Sequence, residues 1–154
     1  PASTARTLEC VMGLRPAGEQ DGYARFVAGG ELGNVIDVNV GSVAPGIGGA
    51  GTVHHIAWRA KDDAEHEQWR AHVQASGFHP TPIVDRQYFN AVYFREEGGI
   101  LFEIATDPPG FARDEAPEAL GEKLMLPPWF EEHRAAIEAN LPPIRVRNTE
   151  GQTR

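Results

Sequence analysis

A single cysteine, Cys10, stands in a chain of 154 residues. Neither a disulfide framework nor a cysteine-based zinc site can therefore be assembled within it, which favours a reducing, cytoplasmic location. No apolar run approaches the roughly 20 residues that span a bilayer. The opening stretch PASTARTLEC lacks the charged-then-apolar layout of a secretory signal. No basic stripe offsets the net charge of -8, and the acids are scattered rather than blocked, so nucleic acid and anionic membranes are not expected partners. The first residue is Pro rather than Met, which reads as a processed or excised piece.

What is present fits one domain with a single core that needs no staples. From Val53 the chain reads as an apolar strand, VHHIAWRA, then Asp62 and Asp63 as N-caps, then DAEHEQWRAHVQASG with apolar residues at helical spacing and Gly77 as the stop. FHPTPIVD, a turn at Arg86 and Gln87, YFNAVYFRE, the turn EGG and ILFEIATD complete the order β-α-β-β-β. The preceding segment repeats that order without its first strand: a short helix ending at Gly13, LRPAGE, the turn QDG, YARFVAGG and NVIDVNV. Placing Gly13 opposite Gly77 sets Asp37 opposite Glu103, at separations of 24 and 26 residues, which predicts an internal repeat.

The stretch GTVHHIAW carries two adjacent histidines. Alternation along a strand predicts that His54 faces the same way as Ile56 and Trp58, and His55 the same way as Val53 and Ala57, so at most one lines a site. In ILFEIATD, Ile100, Phe102 and Ile104 form an apolar face and Glu103 points the other way; in the preceding strand Tyr93 is turned with Glu103. If the first and last strands of the unit are neighbours, His55 and Glu103 project side by side, part of a two-histidine, one-carboxylate facial set. A strand histidine is more often a hydrogen-bonded structural residue, and an inward carboxylate needs a partner of which a metal is one kind. Arg86 at a strand end suits an anionic substrate, although turn arginines are usually solvated. His66, His72 and His79 read as surface residues, His133 beside Trp129 is ambiguous, and Cys10 reads as helix packing.

Taken together, the duplicated pattern, GTVHHIAWRAKDDAEHEQWR, DRQYFNAVYFREEGGILFEIATDPPGF and the tail LPPWFEEHRAAIEANLPP resemble the C-terminal half of a ring-cleaving dioxygenase of the vicinal oxygen chelate superfamily, in the branch similar to hydroquinone 1,2-dioxygenases. The resemblance runs from Ala2 to about Ile144. It implies an α+β fold of paired βαβββ modules: residues 1–40 an incomplete module, 41–52 a Gly-rich connector, 53–107 a complete module, 108–144 a Pro-flanked helical tail and 145–154 a disordered end. It further implies that His55 and Glu103 are two of three ligands of Fe(II), or of Mn(II) in its place. Tyr93, Arg86 and His54 are then catalytic residues around a small dihydroxylated aromatic substrate and O2. The third ligand, a histidine, is expected in a missing N-terminal half or a partner copy. Two alternatives stand beside this: a glyoxalase-like metal-dependent lyase or isomerase, and a metal-free binding protein for aromatic compounds or antibiotics.

Overall fold

The computed structural model describes residues 1–41, 44 and 46–142. The chain divides into two compact units, Pro1–Pro108 and Pro109–Arg154. In the first unit the elements run α1 (Ala2–Cys10), β1 (Arg15–Gln20), β2 (Tyr23–Val27), β3 (Val35–Asn39), β4 (Ile56–Ala60), α2 (Asp63–Ala75), β5 (Val84–Asp85), β6 (Asn90–Arg95) and β7 (Leu101–Thr106). They form a three-stranded antiparallel sheet, β1-β2-β3, and a four-stranded sheet, β4-β7-β6-β5, in which β4 and β7 are parallel. The second segment is thus β-α-β-β-β and the first α-β-β-β.

Local chemistry sets these boundaries. Asp62 caps α2, its carboxylate accepting from the Glu65 N–H at 2.8 Å, while Glu65 reaches back to the Lys61 N–H at 2.7 Å. Asp21 and Gly22, both at positive φ (52° and 80°), make the two-residue turn between β1 and β2 for which Asp-Gly is suited. The turn from β6 to β7 is closed by the buried Glu96, whose carboxylate accepts the N–H groups of Gly98 (2.7 Å) and Ile100 (2.8 Å). Leu8, Met12, Leu14 and Phe26 from the first segment join Val73, Val92, Phe94, Phe102 and Ile104 from the second in one core. Alternation on β6 and β7 sends Phe94, Phe102 and Ile104 into it.

Four details depart from the sequence reading. The strand expected from Val53 begins only at Ile56, leaving His54 and His55 ahead of the ladder. The strand expected in FHPTPIVD shrinks to Val84–Asp85, because Pro80 and Pro82 supply no N–H. His66, expected on the surface, is fully buried under the sheet, and Cys10, expected in packing, is exposed.

In the second unit, 310 turns at Phe111–Arg113, Pro117–Ala119 and Pro128–His133 precede α3 (Arg134–Asn140). Arg134 anchors that helix, bonding Glu131, Glu138 and the Leu124 carbonyl. The expected disordered end at 145–154 lies outside the described residues. Among the described residues no helix is long and apolar enough to cross a membrane.

Candidate metal centre

Strand β7 lies between β4 and β6, and Glu103 at its middle stands directly opposite Ala57 on one side and Tyr93 on the other. Phe102 and Ile104 on either side of it point into the core, so the alternation of the strand turns the Glu103 carboxylate onto the opposite sheet face. It is buried there, with only 4% of its side chain exposed. A carboxylate so placed must be bonded or paired. Its Oε1 accepts the Tyr93 hydroxyl at 2.7 Å, and its Oε2 lies 2.6 Å from His55 Nε2. Burial, and next the bond to Glu103, push the Tyr93 phenol up to about 12, while the Arg86 guanidinium works in the opposite direction. At neutral pH Tyr93 therefore keeps its proton and acts as a donor.

His55, just ahead of β4, reaches the Glu103 side, its ring edge-on to Tyr93 with centroids 6.3 Å apart. His54 was expected to face away. Its Nδ1 instead lies 2.9 Å from His55 Nδ1. The reason is that these two residues precede β4 and no ladder bond holds them to strand alternation. The structure thus joins Tyr93, Glu103, His55 and His54 in a line of short polar contacts, with Arg86 exposed on the turn after β5 and close enough to act electrostatically on Tyr93. Among the described residues, no group of three or more His, Cys, Asp or Glu side chains gathers as a metal cluster.

Sequence reasoning missed His66. Its spacing to Trp69 and Val73, three and seven residues on, is the spacing of an inner helix face and was the available signal. A depression of about 540 Å3 bounded by Glu19, Asp21, Tyr23, Arg25 and Asp37 lies on the first sheet, away from His55 and Glu103. It is open and polar, and its only guanidinium, Arg25, is already bound by both oxygens of Asp37, at 2.8 and 2.7 Å. The chemistry argues for the second sheet instead.

The family profile of the glyoxalase/bleomycin resistance protein/dioxygenase superfamily matches residues 2–104. The chain belongs to this superfamily. Over 147 residues this superfamily member is 53% identical to MhqO of Bacillus subtilis strain 168, which carries the name of a ring-cleaving dioxygenase; the match covers 96% of this chain and 47% of that protein. It is 35% identical over 125 residues to the chlorohydroquinone/hydroquinone 1,2-dioxygenase of Sphingobium indicum, covering 77% of this chain and 38% of that protein. A crystal structure from Bacillus subtilis subsp. subtilis str. 168, named as a dioxygenase, superposes with a TM-score of 0.91 at 53% identity, over 96% of this chain and 47% of that one. The chain spans about half the length, or less, of these relatives. The α+β fold of the glyoxalase type expected from the sequence is the fold the chain has.

Proposed function

We propose that this chain is the C-terminal half of a cytoplasmic ring-cleaving dioxygenase acting with O2 on dihydroxylated aromatics of the hydroquinone or catechol type, and that His55 and Glu103 are two of three protein ligands of its Fe(II), or of Mn(II) in its place. The observation that carries this reading is the convergence of His55 Nε2 and Glu103 Oε2 to 2.6 Å on the face of a rigid sheet. The donor set fits such an ion. A neutral imidazole nitrogen and a carboxylate oxygen suit it chemically, and the buried charge of Glu103 needs a counter-charge. Neighbouring ligands on one ion stand about 3 Å apart, so the pair need open by less than about half an ångström. Bound there, the ion would supply the electronic path between ring and O2 that the two lack in solution.

The remaining residues have roles that follow from their contacts. Tyr93 donates its retained proton to Glu103 Oε1, leaving Oε2 for the side where His55 stands, and its hydroxyl oxygen can still accept from a substrate hydroxyl. Arg86 presents positive charge beside Tyr93, where a substrate phenolate would gather negative charge. For His55 to offer Nε2 as a bare nitrogen its proton must sit on Nδ1, and His54 Nδ1, 2.9 Å away, is placed to accept it. His54 thus orients a ligand and takes up ring-proton charge rather than touching the ion.

The third ligand in this reading comes from outside the chain. In the four-stranded sheet β4 covers one edge of β7, whereas the corresponding edge of β3 carries no strand among the described residues. An opening strand from a missing N-terminal half, or from a partner copy, completes that sheet. The test is anaerobic iron loading followed by metal analysis and assay of a dihydroxybenzene panel under air. Expected is weak iron uptake and little turnover by the 154-residue chain, both being restored when the missing half is supplied and lost again in His55→Ala and Glu103→Ala. Full turnover by the chain alone would place every ligand within it and turn the search to His54, His79 and His133.

A further inference from the structure

The helix side of the same strand holds a second imidazole. His66 lies in the first turn of α2, its N–H bonded to the Asp62 carbonyl at 3.0 Å, and it is 0% exposed. Its Nε2 is 2.8 Å from the main-chain carbonyl of Ile104, the residue after Glu103. A carbonyl only accepts, so Nε2 carries the proton and Nδ1 is a bare lone pair; that Nδ1 is buried with no hydrogen-bond partner among the described residues. A leucine would fill the same space without burying an unpaired acceptor. Packing alone therefore gives no reason for an imidazole here, and the bond to Ile104 does.

We propose that His66 is a positioning residue for the candidate metal site, fixing the Glu103 carboxylate against His55 through the Ile104 carbonyl. The inference rests on the metal reading above and adds to it the support on the far side of the sheet. Glu103 and Ile104 share a peptide bond, and their side chains leave opposite faces of β7. Any shift or roll of the strand at Ile104 therefore swings the carboxylate on the other face. The ladders to β4 and β6 hold β7 within the sheet plane. They resist displacement along the helix-facing normal least, and His66 reaches the strand from that direction. The ring is itself held: Asp62 and Glu65 lock the start of α2 from both sides, so His66 ties Glu103 to a fixed helix end. Ligand geometry tolerates little slack, since misplacement by about 1 Å can cost on the order of 100-fold in rate.

Three variants of the chain test this: His66→Gln, whose amide nitrogen replaces Nε2; His66→Leu, which keeps volume and loses the donor; and Val73→Ala, a core cavity on the same helix. Each is followed by the imidazole 15N signals of His55 without metal, by Co(II) affinity, and by thermal melting. Expected is a His55 Nε2 signal displaced toward its solvent-exposed value in His66→Leu, with Co(II) affinity lowered about 10-fold. His66→Gln should restore both, and Val73→Ala should lower the melting temperature while moving neither. Unchanged His55 signals and affinity in His66→Leu overturn the proposal, as do equal changes in Val73→Ala. Absence of Co(II) uptake by wild type even with the missing half supplied overturns the metal reading, and the His55 signal then still decides whether His66 sets Glu103.

Discussion

The two sheets place a carboxylate at the same register position and put it to different uses. Asp37 on β3 stands opposite Arg25 on β2, as Glu103 on β7 stands opposite Tyr93 on β6. Asp37 is 38% exposed and is neutralised by a guanidinium that takes both its oxygens; Glu103 is 4% exposed and has a neutral phenol beside it. The cause lies one strand away. β4 covers the outer edge of β7 and brings His55, whereas β3 has an uncovered edge among the described residues. An acid left open to water is satisfied by a surface ion pair worth little; a covered acid beside a neutral donor still has charge to give to an ion. The cross-strand neighbour and the covering strand, more than the acid, separate an inert pair from a candidate metal centre.

The largest effect that sharpens this contrast is in packing. Phe102→Ala, under Glu103, should cost about 3–5 kcal/mol in denaturant unfolding, and Val38→Ala, only half-buried on β3, clearly less. Equal losses would mean that the two sheets are equally consolidated. Next comes a transplant: Tyr93→Arg, which installs the first sheet's pair in the second, should lower Co(II) affinity by about 100-fold by occupying both oxygens of Glu103. Unaltered affinity would break the comparison. The reverse change, Arg25→Tyr with Asp37→Glu, should create no uptake, because among the described residues lining the depression on the first sheet no histidine stands beside it.

Smaller effects are titrations. Tyr93 should titrate near 12 by phenolate absorbance, and Glu103→Gln should lower that value while leaving it above an ordinary phenol, since burial is the larger cause. With its folded value raised above the unfolded one, Tyr93 stabilises the fold fully below about 10, and that contribution disappears as pH rises through about 12. Asp37 has the opposite sign. Its bond to Arg25 holds the carboxyl below the usual range, so its support is present above about 4 and is lost as pH falls through the depressed value. Melting curves taken from neutral to acid pH should therefore drop slightly less steeply in Asp37→Asn, and the difference should vanish in molar salt. A flat comparison would show the pair to be inert.

Much of this was legible in the sequence where alternation governs. Phe102, Glu103 and Ile104 announced their faces, and Tyr93 followed from the neighbouring strand. Alternation failed at His54 because it applies only inside a ladder, and the residues before Ile56 are outside one. At His66 the helical period is the governing signal: polarity suggests the surface, whereas the spacing to Trp69 and Val73 places the ring inward. The prolines at 80 and 82 were visible, and their missing donors explain why so little of that stretch became β5. The Arg25–Asp37 bond was not legible, since the repeat paired Asp37 with Glu103 without indicating what each would face.

The parallel pairing of β4 with β7 also bears on the order in which the molecule assembles. Ile56 and Phe102 are partners 46 residues apart along the chain, whereas β6 and β7 are joined by a tight turn. Closing the longer loop costs more chain entropy than closing the hairpin, so the hairpin is expected first. His55 therefore meets Glu103 late, after the hairpin that carries Tyr93 has formed. In a refolding experiment, capacity to take up Co(II) should lag the burial of the hairpin's aromatic residues. The candidate ligand pair forms only in molecules in which β4 has docked along β7.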